Sequence, residues 1–345
     1  MCRYNVDATD AQILLGYSDL FPGTAPELIP EIQKLNMHKA ISIISELITL
    51  RHGKMKPINV CGYSIQLPYE AFLKKIILCL GDASCKDLST NPIFRKNQHV
   101  ISIQMLLILL KKIIAYGNYE TLNQVDYKIT DADYAKIIQL QLIVVDEVCQ
   151  NEEHSFDRGH FIFSTYHLNH HLPDSGRFLR MYYMLEILNK DADNFPEDIR
   201  GEYRNYYDDF STKYGITTTQ YTSILFCELQ PYYLEEKPIT HMSAWRTVAD
   251  TYKKAENREI FSKALELLSA KPEELRDWAI ESQDRQWDFS KFLEAPFLQD
   301  NEGRYISISD YTLSNAFFEK LFWLIRDCYP ENDSRAMAFY GRFFL

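Results

Sequence analysis

Apolar side chains recur along this chain at helical spacings, and glycine or proline marks where each run stops. From Lys39 to Arg51, Ile41, Ile44 and Ile48 fall at i, i+3 and i+7 with Ile43, Leu47 and Leu50 beside them, and Gly53 follows. That pattern predicts an amphipathic helix with a glycine stop. Pro68 then opens a second run, in which Phe72, Leu73, Ile76, Ile77 and Leu80 form a stripe closed by Gly81; a first turn tolerates proline because its N–H would be unpaired anyway.

The run from His99 to Tyr116 is apolar nearly all round, with Ile101, Ile103, Met105 to Leu110, Ile113 and Ile114, and Gly117 ends it. A helix of that kind has to be surrounded by other helices. Thr130 or Asp131 is placed to cap the next helix, expected to reach Cys149 on a stripe that includes Tyr134, Ile137, Ile138 and Leu142. Further helices are expected over 175–190, over 196–214 with Gly215 as terminator, from Thr218 to the disturbance at Pro231, and over 259–269, 272–285 and 311–329.

Strand signals are few. Residues 59–67 read as a hairpin around Gly62, and 304–309 alternate after an Asn301-Glu302-Gly303 turn. Helix spacing follows no fixed period. The expected fold is therefore mainly all-α, an irregular multi-helix bundle with a helical-repeat-like stack as the alternative, carrying one or two minor short β-hairpin or strand segments. The expected organisation is a basic-leaning helical region over 1–125, an acidic, aromatic-rich helical region over 126–290 and a helical segment over 291–345, with changes of texture near 121–129 and 283–297.

Composition supports a folded chain: 46% of the 345 residues are hydrophobic, 25% are charged, and only 12 are glycine. Low glycine disfavours turn-rich all-β designs. The seven cysteines are scattered and odd in number, which points to reduced thiols and a cytoplasmic location. The most apolar stretch is broken by polar residues, so no membrane span is expected.

Charge separates two regions. The net charge of −11 argues against a protein that coats nucleic acid over its whole surface, yet residues 30–120 hold 12 basic against 6 acidic residues. Lys54, Lys56, Lys74, Lys75, Arg95, Lys111 and Lys112 are accordingly the candidates for a nucleic-acid-binding face; the plainer reading is a solvated basic surface that complements the acidic remainder.

Chemistry-bearing clusters are sparse. Between residues 149 and 171 lie Cys149, His154, His160, His167, His170 and His171, a donor set that suits zinc. The spacing matches neither a zinc finger nor a metalloprotease helix, so a polar loop with packed histidines is the competing reading. Asp126-Tyr127-Lys128 and Glu235-Glu236-Lys237 carry the letters of a metal-dependent nuclease pair without its strand context. No phosphate loop, nucleophile elbow or dinucleotide fingerprint occurs, and no catalytic residue or bound cofactor is expected.

Met337, Phe339, Tyr340, Phe343 and Phe344 crowd the last twelve positions, where a helix would need a body or a partner to cover it. Together with Lys213-Tyr214-Gly215-Ile216, Trp287-Asp288-Phe289, Pro296, Tyr305 to Ile308, Leu313, Phe318, Leu321, Trp323 and Gly341-Arg342-Phe343-Phe344, this stretch resembles the helical N-terminal region of uncharacterised bacterial proteins, of phage-defence contexts among others, that carry a C-terminal restriction-endonuclease-like domain. The resemblance implies a truncated form of such a nuclease, because the chain ends where the nuclease would begin, and it carries over no catalytic residue. The leading expectation is a non-catalytic helical scaffold or recognition module that meets a protein partner or a missing domain through Phe339, Tyr340, Phe343 and Phe344. A metal-dependent enzyme or zinc-stabilised fold and a nucleic-acid binder are the alternatives.

Overall fold

The computed structural model describes residues 13–21, 23–55, 58–60, 63–65, 98–151, 206–222, 224, 258–300, 303–309, 312–313, 316 and 320–330. In chain order the elements are β1 (Ile13–Leu14), α1 (Tyr17–Leu20), α2 (Leu28–Gln33), α3 (Met37–Met55), β2 (Ile58–Val60), β3 (Tyr63–Ile65), β4 (Gln98–His99), α4 (Ile103–Tyr116), α5 (Asp131–Asn151), α6 (Tyr206–Tyr214), α7 (Arg258–Leu268), β5 (Ser269–Ala270), α8 (Pro272–Glu281), α9 (Ser290–Glu294), β6 (Phe297–Gln299), β7 (Tyr305–Ser307) and α10 (Leu321–Arg326). The architecture is mainly all-α with minor strands, and among the described residues no helix is long and apolar enough to cross a membrane.

The first core is built around α4. Ile103 to Leu110, Ile113 and Ile114 are buried on every side of it, and α2, α3, α5 and α8 supply the surroundings that its apolar circumference demands. One neighbour, α8, lies more than 150 residues downstream, so the packing is that of a bundle rather than of stacked adjacent pairs. The same core runs from Leu15 through Val148 and takes in Ala270, Leu275, Phe292 and Leu298, so it joins residues from all three stretches of the chain.

The start of α4 differs from the expected His99. His99 pairs in β4 with Leu14 of β1, and Ser102 is the N-cap, its hydroxyl accepting the Met105 N–H at 3.4 Å. Gln141, fully buried on α5, holds this entry: its Nε2 donates to the Val100 carbonyl at 2.7 Å and its Oε1 accepts from the Ser102 N–H at 3.1 Å. Val100 and Ile101 are buried in this extended lead-in, which is why their apolarity reads like helix.

The second core gathers Tyr206 and Phe210 of α6, Phe261, Ala264, Leu265 and Leu268 of α7, and Leu321, Phe322, Leu324 and Ile325 of α10. The α7 positions stand at i, i+3, i+4 and i+7 and form one face. Gly215 ends α6 at φ +68°, donating its N–H to the Ser211 carbonyl at 2.8 Å, in the left-handed conformation that suits glycine at a helix end.

A three-stranded sheet, ordered β5-β6-β7, stands between the two cores. β5 is parallel to β6 with Ser269 opposite Phe297, and β6 is antiparallel to β7 with Phe297 opposite Ser307 and Leu298 opposite Ile306. Strand side chains alternate faces, so Phe297 enters the second core while Leu298 and Ile306 enter the first. The β2–β3 hairpin pairs Ile58 with Ile65 and Val60 with Tyr63, as expected around Gly62.

Candidate functional site

A concave feature among the described residues is a cleft between α9 and α10, with a volume of about 550 Å³, lined by Ser290, Leu293, Glu294, Lys320, Trp323, Leu324 and Asp327. That size falls within the roughly 300–1,000 Å³ of small-molecule sites. Each wall is fixed by its own core.

On the α10 side, the buried face consists of Leu321, Phe322, Leu324 and Ile325, which turns Lys320, Trp323 and Asp327 at i, i+3 and i+7 away from the core. Trp323 is 48% exposed, its indole T-shaped to the Phe322 ring with 5.3 Å between centroids. Backbone contacts tie α10 to α6: the Tyr214 hydroxyl donates to the Leu324 carbonyl at 3.1 Å, and the Lys213 ammonium donates to the Asp327 carbonyl. The Tyr329 hydroxyl, just beyond the helix, donates to the Asp209 carboxylate at 2.7 Å.

On the α9 side, Asp288 opens the helix by accepting from the Ser290 N–H at 3.1 Å and the Ser290 hydroxyl at 2.6 Å. The Ser290 hydroxyl lowers the Asp288 pKa most, with the Lys111 charge adding to it. Phe292 anchors the helix from below, edge-on to Trp278 of α8 at 4.9 Å. The loop from α8 to α9 is held by Lys111, whose ammonium donates to the carbonyls of Ser282, Arg285 and Asp288 at 2.9, 3.0 and 3.2 Å and lies 4.8 Å from the centre of the Trp278 ring.

Within the cleft, Lys320 is half-buried. Its pKa is lowered, chiefly by burial and further by Lys291, while Glu294 and Asp327 pull it back up. The two carboxylates sit at the rim with loose partners, Lys291 at 3.6 Å from Glu294 and Arg326 at 3.9 Å from Asp327. The cleft thus presents one cation, two carboxylates, a hydroxyl and an indole face.

A second polar group lies inside the first core. His38, Ser42 and Glu46 stand at i, i+4 and i+8 on α3 and are 2%, 4% and 4% exposed. The Tyr127 hydroxyl lies 2.5 Å from His38 Nδ1 and 3.0 Å from Ser42 Oγ, while the Ser42 hydroxyl donates to the His38 carbonyl at 2.9 Å. Glu46 accepts from the Tyr134 hydroxyl, and burial pushes its pKa up to about 8. Serine, histidine and a carboxylate are present, but the serine proton goes to its own helix, Tyr127 stands at the imidazole, and all three side chains are enclosed. The arrangement joins α3 to the segment before α5 and to α5 itself.

The residues singled out in the sequence fall as follows. Lys111 is 4% exposed and spends its ammonium on three carbonyls, so it is an internal tie rather than part of a phosphate-binding surface. Lys112 pairs with Glu147 at 3.0 Å. Lys54 belongs to α3 and Cys149 to the last turns of α5. Lys56, Lys74, Lys75, Arg95, His154, His160, His167, His170, Phe339, Tyr340, Phe343 and Phe344 lie outside the described residues. Asp126-Tyr127-Lys128 lies in the irregular lead-in to α5, not on a strand. Among the described residues no cluster of three histidine, cysteine or acidic side chains is arranged to hold a metal ion.

Sequence reasoning missed Lys320, Trp323, Glu294 and Asp327. The signal that points to Lys320, Trp323 and Asp327 is the i, i+3, i+7 row opposite the apolar face of α10, whereas Glu294 belongs to α9 and is marked by no such row. Comparison with known proteins brings no relative: no family model, no curated protein and no solved structure matches the chain.

Proposed function

We propose that this chain is a cytoplasmic helical scaffold and recognition module, without catalysis of its own, whose recognition surface is the cleft between α9 and α10. The observation that carries this reading is Trp323, half exposed on a cleft wall although the helix bearing it buries four neighbouring apolar side chains. A half-exposed tryptophan at a concave site is an anchor for a bound group, because it offers a large apolar area with little entropy to lose. The buried polar groups Lys111, Gln141 and His38–Tyr127–Ser42 are committed to holding the body together, which favours the cleft over them as the recognition site.

A small-molecule library screened by ligand-detected NMR against the full chain and a Trp323→Ala variant tests this. Binders that are lost in Trp323→Ala, and that the chain leaves chemically unchanged, are the expected result. Binding unaffected by Trp323→Ala, or turnover of a bound compound, would overturn it.

A further inference from the structure

Lys111 and Lys320 define opposite fates for a cation withdrawn from water. Lys111 has a carbonyl for each of its three N–H bonds, whereas among the described residues no hydrogen bond or ion pair holds the Lys320 ammonium. A partly desolvated cation without a partner is costly, and an anion in the cleft would relieve the cost. A plain anion, however, would also face the Glu294 and Asp327 carboxylates that line the same space. A plain cation would face Lys320.

A ligand with both signs meets both walls. The rim carboxylates retain accepting capacity, because their side chains are 57% and 56% exposed and their lysine and arginine partners are distant enough for solvent to screen them. Trp323 and Leu293 offer an apolar surface for whatever links the two charges, and the indole face attracts an ammonium group as well.

We propose that this cleft binds a small zwitterion, a free amino acid or a short peptide, with its carboxylate on Lys320, its ammonium toward Glu294 and Asp327, and its body against Trp323 and Leu293. The proposal rests on the reading of the cleft as the recognition surface and adds the class of ligand. Free amino acids and dipeptides share the two charged ends; the 550 Å³ volume accommodates either class.

The test is a thermal-shift panel of the twenty amino acids and a set of dipeptides on the full chain, which also tells the two sources apart. Calorimetry then compares the best binder with its amide and its N-acetyl derivative. At least one zwitterion is expected to raise the Tm, and removal of either charge to weaken binding by about tenfold or more, the scale of one charge-assisted contact. In Lys320→Met the acid and its amide should bind alike. In Glu294→Gln, an exposed position whose change spares the fold, the gap between the zwitterion and its N-acetyl derivative should narrow. Absence of any zwitterion binding, or wild-type discrimination in both variants, overturns the proposal. If other compounds bind in a Trp323-dependent way while zwitterions do not, only the ligand class falls; if nothing binds in that way, the recognition reading falls with it.

Discussion

The Lys111 ammonium lies 2.9 Å from the Ser282 carbonyl oxygen, a contact between residues 171 positions apart that fastens the end of α8 to the central helix. Ser282 itself donates its N–H and its hydroxyl to the Trp278 carbonyl, at 3.0 and 2.6 Å, so the lysine sits where the last turn of α8 leaves its own carbonyls exposed. A positive charge is favourable there both as a donor and against the helix dipole. Because the same ammonium holds the Arg285 and Asp288 carbonyls, it also sets the path into α9 and one wall of the cleft.

Lys111→Met keeps the aliphatic stem and removes the donors, leaving three carbonyls to find water or go unpaired. The expected cost is about 2–4 kcal/mol in urea unfolding, given roughly 1–3 kcal/mol for each buried group left unsatisfied and partial access of water to the loop. Hydrogen exchange should rise over 282–294 and stay unchanged in α3. A variant as stable as the parent would show that the three carbonyls are not a structural tie.

Glu46 makes stability depend on pH in an unusual direction. Its pKa moves from 4.5 to about 8 on folding, mainly through burial, so between these values the folded chain holds a proton that the unfolded chain has released. Stability therefore falls as pH rises through that window, by at most about 1.4 kcal/mol per pH unit, and Glu46 adds no slope below or above it. Glu46→Gln should flatten the profile between pH 5 and 8. Since the Tyr134 hydroxyl lowers the Glu46 pKa, Tyr134→Phe should extend the slope to higher pH. A profile identical in Glu46→Gln and the parent would refute the assignment.

Much of this fold is legible in the order of residues, for identifiable reasons. Long runs with one apolar face, such as Ile41 to Ile48 or Phe261 to Leu268, have no alternative burial, and the closing role of Gly215 follows from its left-handed turn. Short elements behave differently. β5 and β6 span two and three residues, too few for alternation to register, so Pro296 and Phe297 read as a break between regions when Phe297 opens a strand whose two faces serve two cores. The cleft escapes notice for the same reason: α9 is five residues long, and the meaning of Lys320, Trp323 and Asp327 emerges only when Ser290 and Glu294 stand opposite. The stripe of His38, Ser42 and Glu46 lies within a helix that periodicity anticipates, but its burial is decided by Tyr127 and Tyr134 from elsewhere in the chain.

Gly215 should tolerate substitution poorly. Its φ of +68° disfavours any side chain, and an added Cβ would stand 3.0 Å from the Lys263 ammonium, which can swing away. Gly215→Ala is therefore expected to cost about 1–2 kcal/mol, almost all of it backbone, and Gly215→Asn less. Adding Lys263→Ala should leave the alanine penalty nearly unchanged. A penalty that vanished in the double variant would assign it to the contact with Lys263 instead.

Gly16 and Asp146 form the tightest of these couplings. Asp146, on α5, accepts from the Ser18 N–H at 2.7 Å and the Ser18 hydroxyl at 3.1 Å, which secures the start of α1 across 128 residues of sequence. A Cβ on Gly16 would come within 2.0 Å of Asp146 Oδ1, so alanine there must displace the carboxylate and break both bonds at once. Gly16→Ala and Asp146→Ala should each destabilise the chain by about 1–3 kcal/mol, through the same lost hydrogen bonds to a charged group. The two changes then cannot add: once Asp146 is alanine there is nothing left for the Gly16→Ala methyl to push aside, and the double variant should match Asp146→Ala within about 0.5 kcal/mol. Additive penalties in that double-mutant cycle would mean that Gly16 is required by its own backbone and not by the carboxylate beside it.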